Sequence, residues 1–254
     1  MLHLRINEQM QINRKSVFYW VLNVPKIKAD LHMHSTYSDG LNTVEEMIHS
    51  ALEKGLKAIS ITDHNTFKGS KKAIEYVKDK GIELVVLYGN EVRARYSGKL
   101  MDILVLCPQV LDDDNYPIDA VKLYEWTRKN NCLYIPAHPY DERRYGCGEL
   151  IYDLDMDAIE GWNARAPRKV NERAIATAKT LGKPIVSNSD AHEVEMVAAA
   201  HNIIEVEELD PYSVIDSILK GKVKIVRGTI PPSIYARYVS KKLVKKTVRH
   251  MFFK

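Results

Sequence analysis

The stretch Asp30-Leu31-His32-Met33-His34-Ser35-Thr36-Tyr37-Ser38-Asp39-Gly40 grows out of a short segment, Ile27–Leu31, that reads as a β-strand. Residues two apart in an extended chain point the same way, so His32 and His34 present two imidazoles to one point. Asp39 lies five residues further on, in a turn that Gly40 permits, and folds back toward a second point. Asp30 is suited to bracing an imidazole from behind.

The pattern recurs along the chain. Thr62-Asp63-His64-Asn65 ends the predicted strand 57–62, and Glu91 follows Gly89-Asn90 after the predicted strand 83–88. Ala137-His138-Pro139 closes the strand 132–137, and Ser189-Asp190-Ala191-His192 follows the strand 184–187. Asp190 and His192 repeat the two-apart geometry of the first site. Asp63, like Asp30, is read as an orienting carboxylate. Five of the nine histidines thus stand just after predicted strands, which is where a β/α barrel gathers its active-site residues.

Helical patterns separate these strands. Residues 43–54 carry a capping box of Thr43 and Glu46, with Gly55 as the stop. Residues 70–80, 117–130 and 167–181 read as further helices. Strands at 100–107, 157–162, 202–206 and 222–226 complete the series. Such alternation with short connections predicts one α/β domain with mainly parallel strands.

Composition agrees with this. The chain has 254 residues, 45% hydrophobic and 28% charged, which excludes disordered, collagen-like and disulfide-scaffold classes. Three cysteines leave at least one unpaired and match no metal-type spacing, so a reducing cytoplasm is expected. The most apolar N-terminal run, Val17–Val24, falls far short of the ~20 residues that span a bilayer. From residue 217 onward there are eleven Lys or Arg and no acidic side chain, leaving 26 basic against 33 acidic residues upstream. The basic balance therefore belongs to the tail. The expected organisation is an N-terminal extension (1–26) packing on the barrel, a barrel (27–230), and a basic helical extension (231–254). That tail packs on the barrel or anchors nucleic acid or anionic lipid.

Imidazoles with carboxylates and no thiolates suit Mn²⁺, Fe²⁺ or Zn²⁺. The donors exceed the need of one ion, so two or three are expected. Multi-ion sites recurrently activate water as hydroxide and clamp the oxygens of a phosphoryl displacement.

The combination DLHMHSTYSDG (30–40), ITDHNT (61–66), GNE (89–91), AHP (137–139) and SDAH (189–192) resembles the PHP (polymerase and histidinol phosphatase) metal-dependent phosphoesterases. The resemblance implies a distorted, TIM-like (β/α)7 barrel with a metal cleft at the strand C-termini. It implies that His32, His34, Glu91 and Asp190 hold one ion and Asp39, His64 and His192 a second. Glu91 and His138 would serve a third, with Glu91 bridging. Where the family often carries a histidine in the next strand, this chain has Met101-Asp102-Ile103-Leu104, and Asp102 stands as a substitute oxygen ligand.

Arg143, Arg144, Arg165 and Arg168 are the candidate phosphate-binding residues, with Arg93 beside Glu91. His138 and His192 are candidates for proton transfer and, with Asp190, form the expected catalytic set. The expected activity is hydrolysis of a small phosphomonoester or a nucleotide or oligonucleotide end. The rivals are a nuclease on nucleic-acid ends and a non-catalytic RNA-binding barrel like the ribonuclease P protein.

Overall fold

The computed structural model describes residues 25–113 and 115–252, with side chains as far as residue 244. Nearly all of the expected N-terminal extension lies outside the described residues. The elements in chain order are β1 (Lys26–Met33), α1 (Val44–Glu53), β2 (Ala58–Ile61), α2 (Lys68–Lys80), β3 (Val85–Val86), β4 (Tyr88–Tyr96) and β5 (Lys99–Cys107). There follow α3 (Ala120–Lys129), β6 (Leu133–Pro136), β7 (Ile159–Asn163), α4 (Arg168–Thr180) and β8 (Ile185–Asn188). The last are β9 (His201–Glu205), α5 (Pro211–Leu219), β10 (Val223–Val226) and α6 (Pro232–Phe252).

Local chemistry explains the helix ends. Thr43 and Glu46 form both halves of the capping box on α1. Gly81 closes α2 in the left-handed conformation, at φ 61°. The sequence reading missed α5, which Asp210 caps through the amides of Tyr212 and Ser213 with Pro211 in the first turn.

The strands pair as three sheets, ordered β10-β9-β1-β2-β3, β4-β5-β6 and β7-β8. The fold is mixed α/β, but the expectation of mainly parallel strands needs correction. β1–β2, β2–β3 and β7–β8 are parallel, whereas β1–β9, β9–β10, β4–β5 and β5–β6 are antiparallel. β4 was not expected at all, because Glu91, Arg93 and Arg95 make it read as loop. It folds back on β5 through Ser97 and Gly98, both at positive φ (48° and 79°), the signature of a tight hairpin. Glu91 therefore sits inside a strand. Nor do ladders close a ring among the described residues. β2, β6 and β8 have only four residues each, and the chain leaves strand geometry at once. Asn65, His138 and Asp190 all have positive φ just beyond these ends.

An interior cluster draws Ile27, Ala29 and Leu31 of β1 together with Leu104, Leu106, Leu133, Ile135, Val186 and Ile204. Two outer clusters lie under the helices. Met33 belongs to an outer cluster although Leu31 is interior. The register of β1 against β2 shifts between Asp30 and Met33. This irregularity switches the side-chain alternation, so His32 and His34 join the inner face just where the apolar interior ends.

Cys107 at the end of β5 and Cys132 just before β6 form a disulfide, and Cys147 is free and buried. No helix among the described residues is long and apolar enough to cross a membrane.

Candidate metal centre

Side chains at and just beyond several strand ends converge with Glu91 from inside β4. His32, His34 and Glu91 are essentially buried (0%, 0% and 1% exposed), yet their polar tips face one another. Glu91 Oε2 lies 3.3 Å from His32 Nε2, 3.2 Å from His34 Nε2 and 3.0 Å from His64 Nδ1. Despite these distances Glu91 Oε2 has no hydrogen-bond partner, and neither has His64 Nδ1. Asp190 Oδ1 approaches His32 Nε2 at 3.7 Å and His34 Nε2 at 3.4 Å.

A second group adjoins the first. Asp39 Oδ1 lies 3.0 Å from His192 Nε2 and 3.7 Å from His64 Nε2, is buried, and lacks a hydrogen-bond partner. Three sets of donors lie within 4.8 Å of one another: His34, Asp39, His64 and His192; His32, His34 and Glu91; and His64, Glu91 and Asp102. Buried polar atoms that face each other without bonding are costly unless something between them supplies charge. A mixed nitrogen and oxygen set of this kind fits divalent cations.

Without ions, protons hold the cluster together. Burial alone would lower His34, but Asp190 and Glu91 outweigh it and raise it to about 9. Burial likewise opposes charge on His32, which Glu91, Glu160 and Asp190 nonetheless push well above its usual value. His192 goes the other way, down to about 3, through burial and the neighbouring Arg165 and His34. Burial would raise Asp190, but Arg165, His32 and Arg144 hold it well below the usual carboxylate range.

The two expected bracing carboxylates do other work. Asp30 accepts from the amides of Ser189 (3.0 Å) and Ala198 (2.8 Å), tying β1 to the chain after β8. Asp63 accepts from Ser35 N, Ser35 Oγ and Ser38 Oγ at 2.6–2.8 Å, and so moulds the turn that carries Asp39. A Cβ at Gly40 would stand 2.5 Å from the carbonyl oxygen of His34, so only glycine lets that turn fold so close. The residue that braces His32 is Glu160, whose Oε1 lies 2.9 Å from His32 Nδ1. Sequence reasoning missed it. The signal was an ionisable residue set between Ile159 and Gly161-Trp162 in a strand.

Asp102 stands opposite Arg93 across the β4–β5 ladder. Its two oxygens accept from Arg93 Nε at 2.9 Å and Nη2 at 3.0 Å. Tyr145 stacks on that guanidinium, 3.6 Å from its carbon. His138 Nε2 lies 3.1 Å from Glu91 Oε1, and His138 is in none of the three donor sets.

These groups line a cavity of about 160 Å³ that also admits Arg143, Arg144 and Arg165. Arg165 is only 12% exposed and donates to Asp190 Oδ1 at 2.9 Å. Arg144 clasps the other oxygen of Asp190, and Asp141 at 3.0 Å. Arg143 is 79% exposed. Arg168 is not among the lining residues. Its guanidinium is 79% exposed and pairs with Glu172 one turn along α4, which corrects the sequence expectation.

The C-terminal helix reaches the same rim, which charge and periodicity did not reveal. Tyr238 of α6 is 2% exposed with its ring 5.8 Å from that of His192, and Lys242 Nζ donates to Asp39 Oδ2 at 2.8 Å. Further along the helix, Leu243 and Val244 are 61% and 62% exposed. Val248, Met251 and Phe252 lie outside the described side chains.

Comparison with known proteins agrees with this arrangement. Residues 30–148 match the PHP domain, and residues 168–223 match the PHP-associated domain. The chain is 28% identical over 219 residues to the DNA polymerase/3′-5′ exonuclease PolX of Bacillus subtilis, covering 70% of this chain but only 36% of that protein. It is 27% identical over 177 residues to the phosphoribosyl 1,2-cyclic phosphate 1,2-diphosphodiesterase of Eggerthella lenta, covering 53% of this chain and 67% of that one. A crystal structure of a two-domain protein from Bacteroides vulgatus, containing a predicted PHP-like metal-dependent phosphoesterase, superimposes with a TM-score of 0.65 at 18% identity. That match covers 86% of this chain and 70% of the other. The chain thus carries a PHP domain followed by a PHP-associated domain, and the converging histidines and carboxylates lie inside these two stretches.

Proposed function

We propose that the chain is a metal-dependent phosphoesterase that hydrolyses a small phosphate ester or a nucleotide or oligonucleotide end. One observation carries the reading. Glu91 Oε2 is buried without a hydrogen-bond partner while three imidazole nitrogens stand 3.0–3.3 Å away, a crowding of donors that bound cations would satisfy. His32, His34, Glu91 and Asp190 would hold one ion, and Asp39, His64 and His192 the other, with Glu91 shared. When bound, such ions supply Lewis-acid polarisation of the phosphoryl group and of the attacking water.

The chain's own residues do the rest. Arg144 and Arg165 keep Asp190 ionised and lie in the cavity beside Arg143, so phosphate oxygens meet a guanidinium-lined wall. Asp102 is taken by Arg93, which favours two ions over three. His138, whose Nε2 lies 3.1 Å from Glu91 Oε1, is then the group assigned to deliver a proton to the leaving oxygen. We read the three sheets as arcs of one distorted barrel, because the interior cluster takes residues from all of them. The bridges Met33–Ala191 and His64–Glu91 link neighbouring sheets at the cleft. The retained donor set argues against a non-catalytic RNA-binding barrel. The name of the Bacillus relative, which includes a 3′-5′ exonuclease, supports nucleic-acid ends as one substrate class.

The test is elemental analysis for Mn, Fe and Zn on the purified chain, followed by Mn²⁺-dependent hydrolysis of phosphomonoesters, cyclic phosphates and end-phosphorylated oligonucleotides. About two ions per chain and release of phosphate from one class is the expected result. No metal after soaking would defeat the proposal.

A further inference from the structure

The weak point of the metal centre is Asp39. It is the only carboxylate in the donor sets carried by an irregular turn, and its side chain is 36% exposed while Glu91 and Asp102 are 1% and 2% exposed. Nothing on the turn itself holds its carboxylate. What does hold it comes from 203 residues away, on α6.

We propose that Lys242 is a positioning residue of the metal centre, which holds Asp39 by Oδ2 so that Oδ1 is presented to the ion between His64 and His192. This rests on the reading of the cleft as a metal site. Lys242 Nζ donates to Asp39 Oδ2 at 2.8 Å and to Tyr238 Oη at 3.0 Å. Asp39 Oδ1, the other oxygen, is the buried atom without a hydrogen-bond partner, 3.0 Å from His192 Nε2. The lysine thus occupies the solvent-facing oxygen and leaves the ligating one free.

The helix is well anchored for this task. Tyr238 is buried with its ring edge-on to His192, and Arg165 lies 5.9 Å above the same ring. On the same helix Arg237 and Lys241, four residues apart, pair with Glu193, the residue that follows His192 and is only 2% exposed itself. α6 therefore grips the segment bearing His192 and the turn bearing Asp39 at once. Outer partners of this kind orient a ligand, and their loss typically weakens metal binding 10–100-fold.

The sign of the effect separates this role from its rivals. By Coulomb's law alone, removing an ammonium beside a cation site strengthens cation binding. A positioning role predicts the opposite. Metal-free full-length protein is titrated with Mn²⁺ by calorimetry as wild type, Lys242→Met, Lys242→Arg and Asp39→Asn.

Lys242→Met should weaken one of the two sites about tenfold and spare the other. Lys242→Arg should restore most of the loss. In the Asp39→Asn background, Lys242→Met should add nothing, because the two act through one contact. Lys242 is 45% exposed, so the melting temperature of the metal-free protein should hardly move. Unchanged affinity in Lys242→Met would reduce the contact to a surface ion pair and overturn the proposal. Raised affinity would also overturn it, by showing that the lysine competes with the ion. A wild-type chain that takes up no Mn²⁺ would instead overturn the metal reading on which the role rests.

Discussion

Replacing Glu160 by glutamine tests whether a single buried carboxylate organises the cleft. Glu160 is 0% exposed and its two oxygens receive four donors. Oε1 meets His32 Nδ1 and Asn188 Nδ2, each at 2.9 Å. Oε2 meets the amide of His138 at 2.7 Å and Asn163 Nδ2 at 3.0 Å. Burial would raise its pKa, but the ion pair and hydrogen bond with His32 overcome that and keep it ionised. Glutamine is nearly isosteric but offers one acceptor oxygen. Whichever way it turns, its amide nitrogen faces two donors and both go unsatisfied. Each buried donor left unpaired costs about 1–3 kcal/mol, so the loss is about 2–6 kcal/mol. In a domain of this size that lowers the melting temperature by roughly 5–20 °C. Metal affinity should fall 10–100-fold as well, because His32 loses its brace or His138 its backbone anchor. Differential scanning calorimetry of the metal-free protein and a Mn²⁺ titration read the two effects separately. A variant that melts within a degree or two of wild type and binds Mn²⁺ normally would refute the reasoning.

Other consequences can be measured on the same protein. Asp190→Asn keeps the shape but removes a ligand charge, so turnover should drop by at least ~10²–10³ with the fold retained, and near wild-type turnover would remove Asp190 from the site. Asp102→Ala should leave the number of bound ions unchanged and destabilise the protein by about 1–3 kcal/mol through the stranded Arg93, whereas the loss of an ion would restore Asp102 as a ligand. In the metal-free protein His34 is raised to about 9 from 6.5, so its contribution of about 3 kcal/mol is fully present below pH 6.5 and is lost as pH rises through 9. The metal-free melting temperature should therefore fall between pH 6.5 and 9.5, and a rising one would contradict the sign. Metal uptake at pH 7 should release protons, visible as a buffer-dependent binding enthalpy, and a buffer-independent enthalpy would show that the imidazoles are already neutral.

Much of the site was legible without coordinates because its signals are local. His32 with His34, and Asp190 with His192, are spaced for one face of an extended chain. Thr43 and Glu46 announce the start of α1 by a rule that spans four residues. Strand ends were visible because apolar runs stop at Gly, Pro, Asn or Asp. The reading failed where polar residues lie in strands. β4, with Glu91, Arg93 and Arg95, hides its period of two because its inward polar groups face a cleft rather than a core. Arg168 failed for the reverse reason: a guanidinium near the site in sequence turned outward to the nearest carboxylate on its own helix.

By itself, then, the sequence determined the kind of chemistry: which donor atoms exist, that thiolates are not among them, and that an α/β frame carries them. Only the tertiary structure decided who braces whom. Glu160 serves His32 across 128 residues, Arg93 rather than an ion takes Asp102, and Lys242 reaches Asp39 across 203. The same holds for the three sheets and for the register irregularity in β1 that turns His32 and His34 inward. The physical reason is that a hydrogen bond or ion pair depends on positions in space to a few tenths of an ångström, whereas local propensity fixes only the direction of each segment and leaves the docking of distant segments to the packing of the whole core.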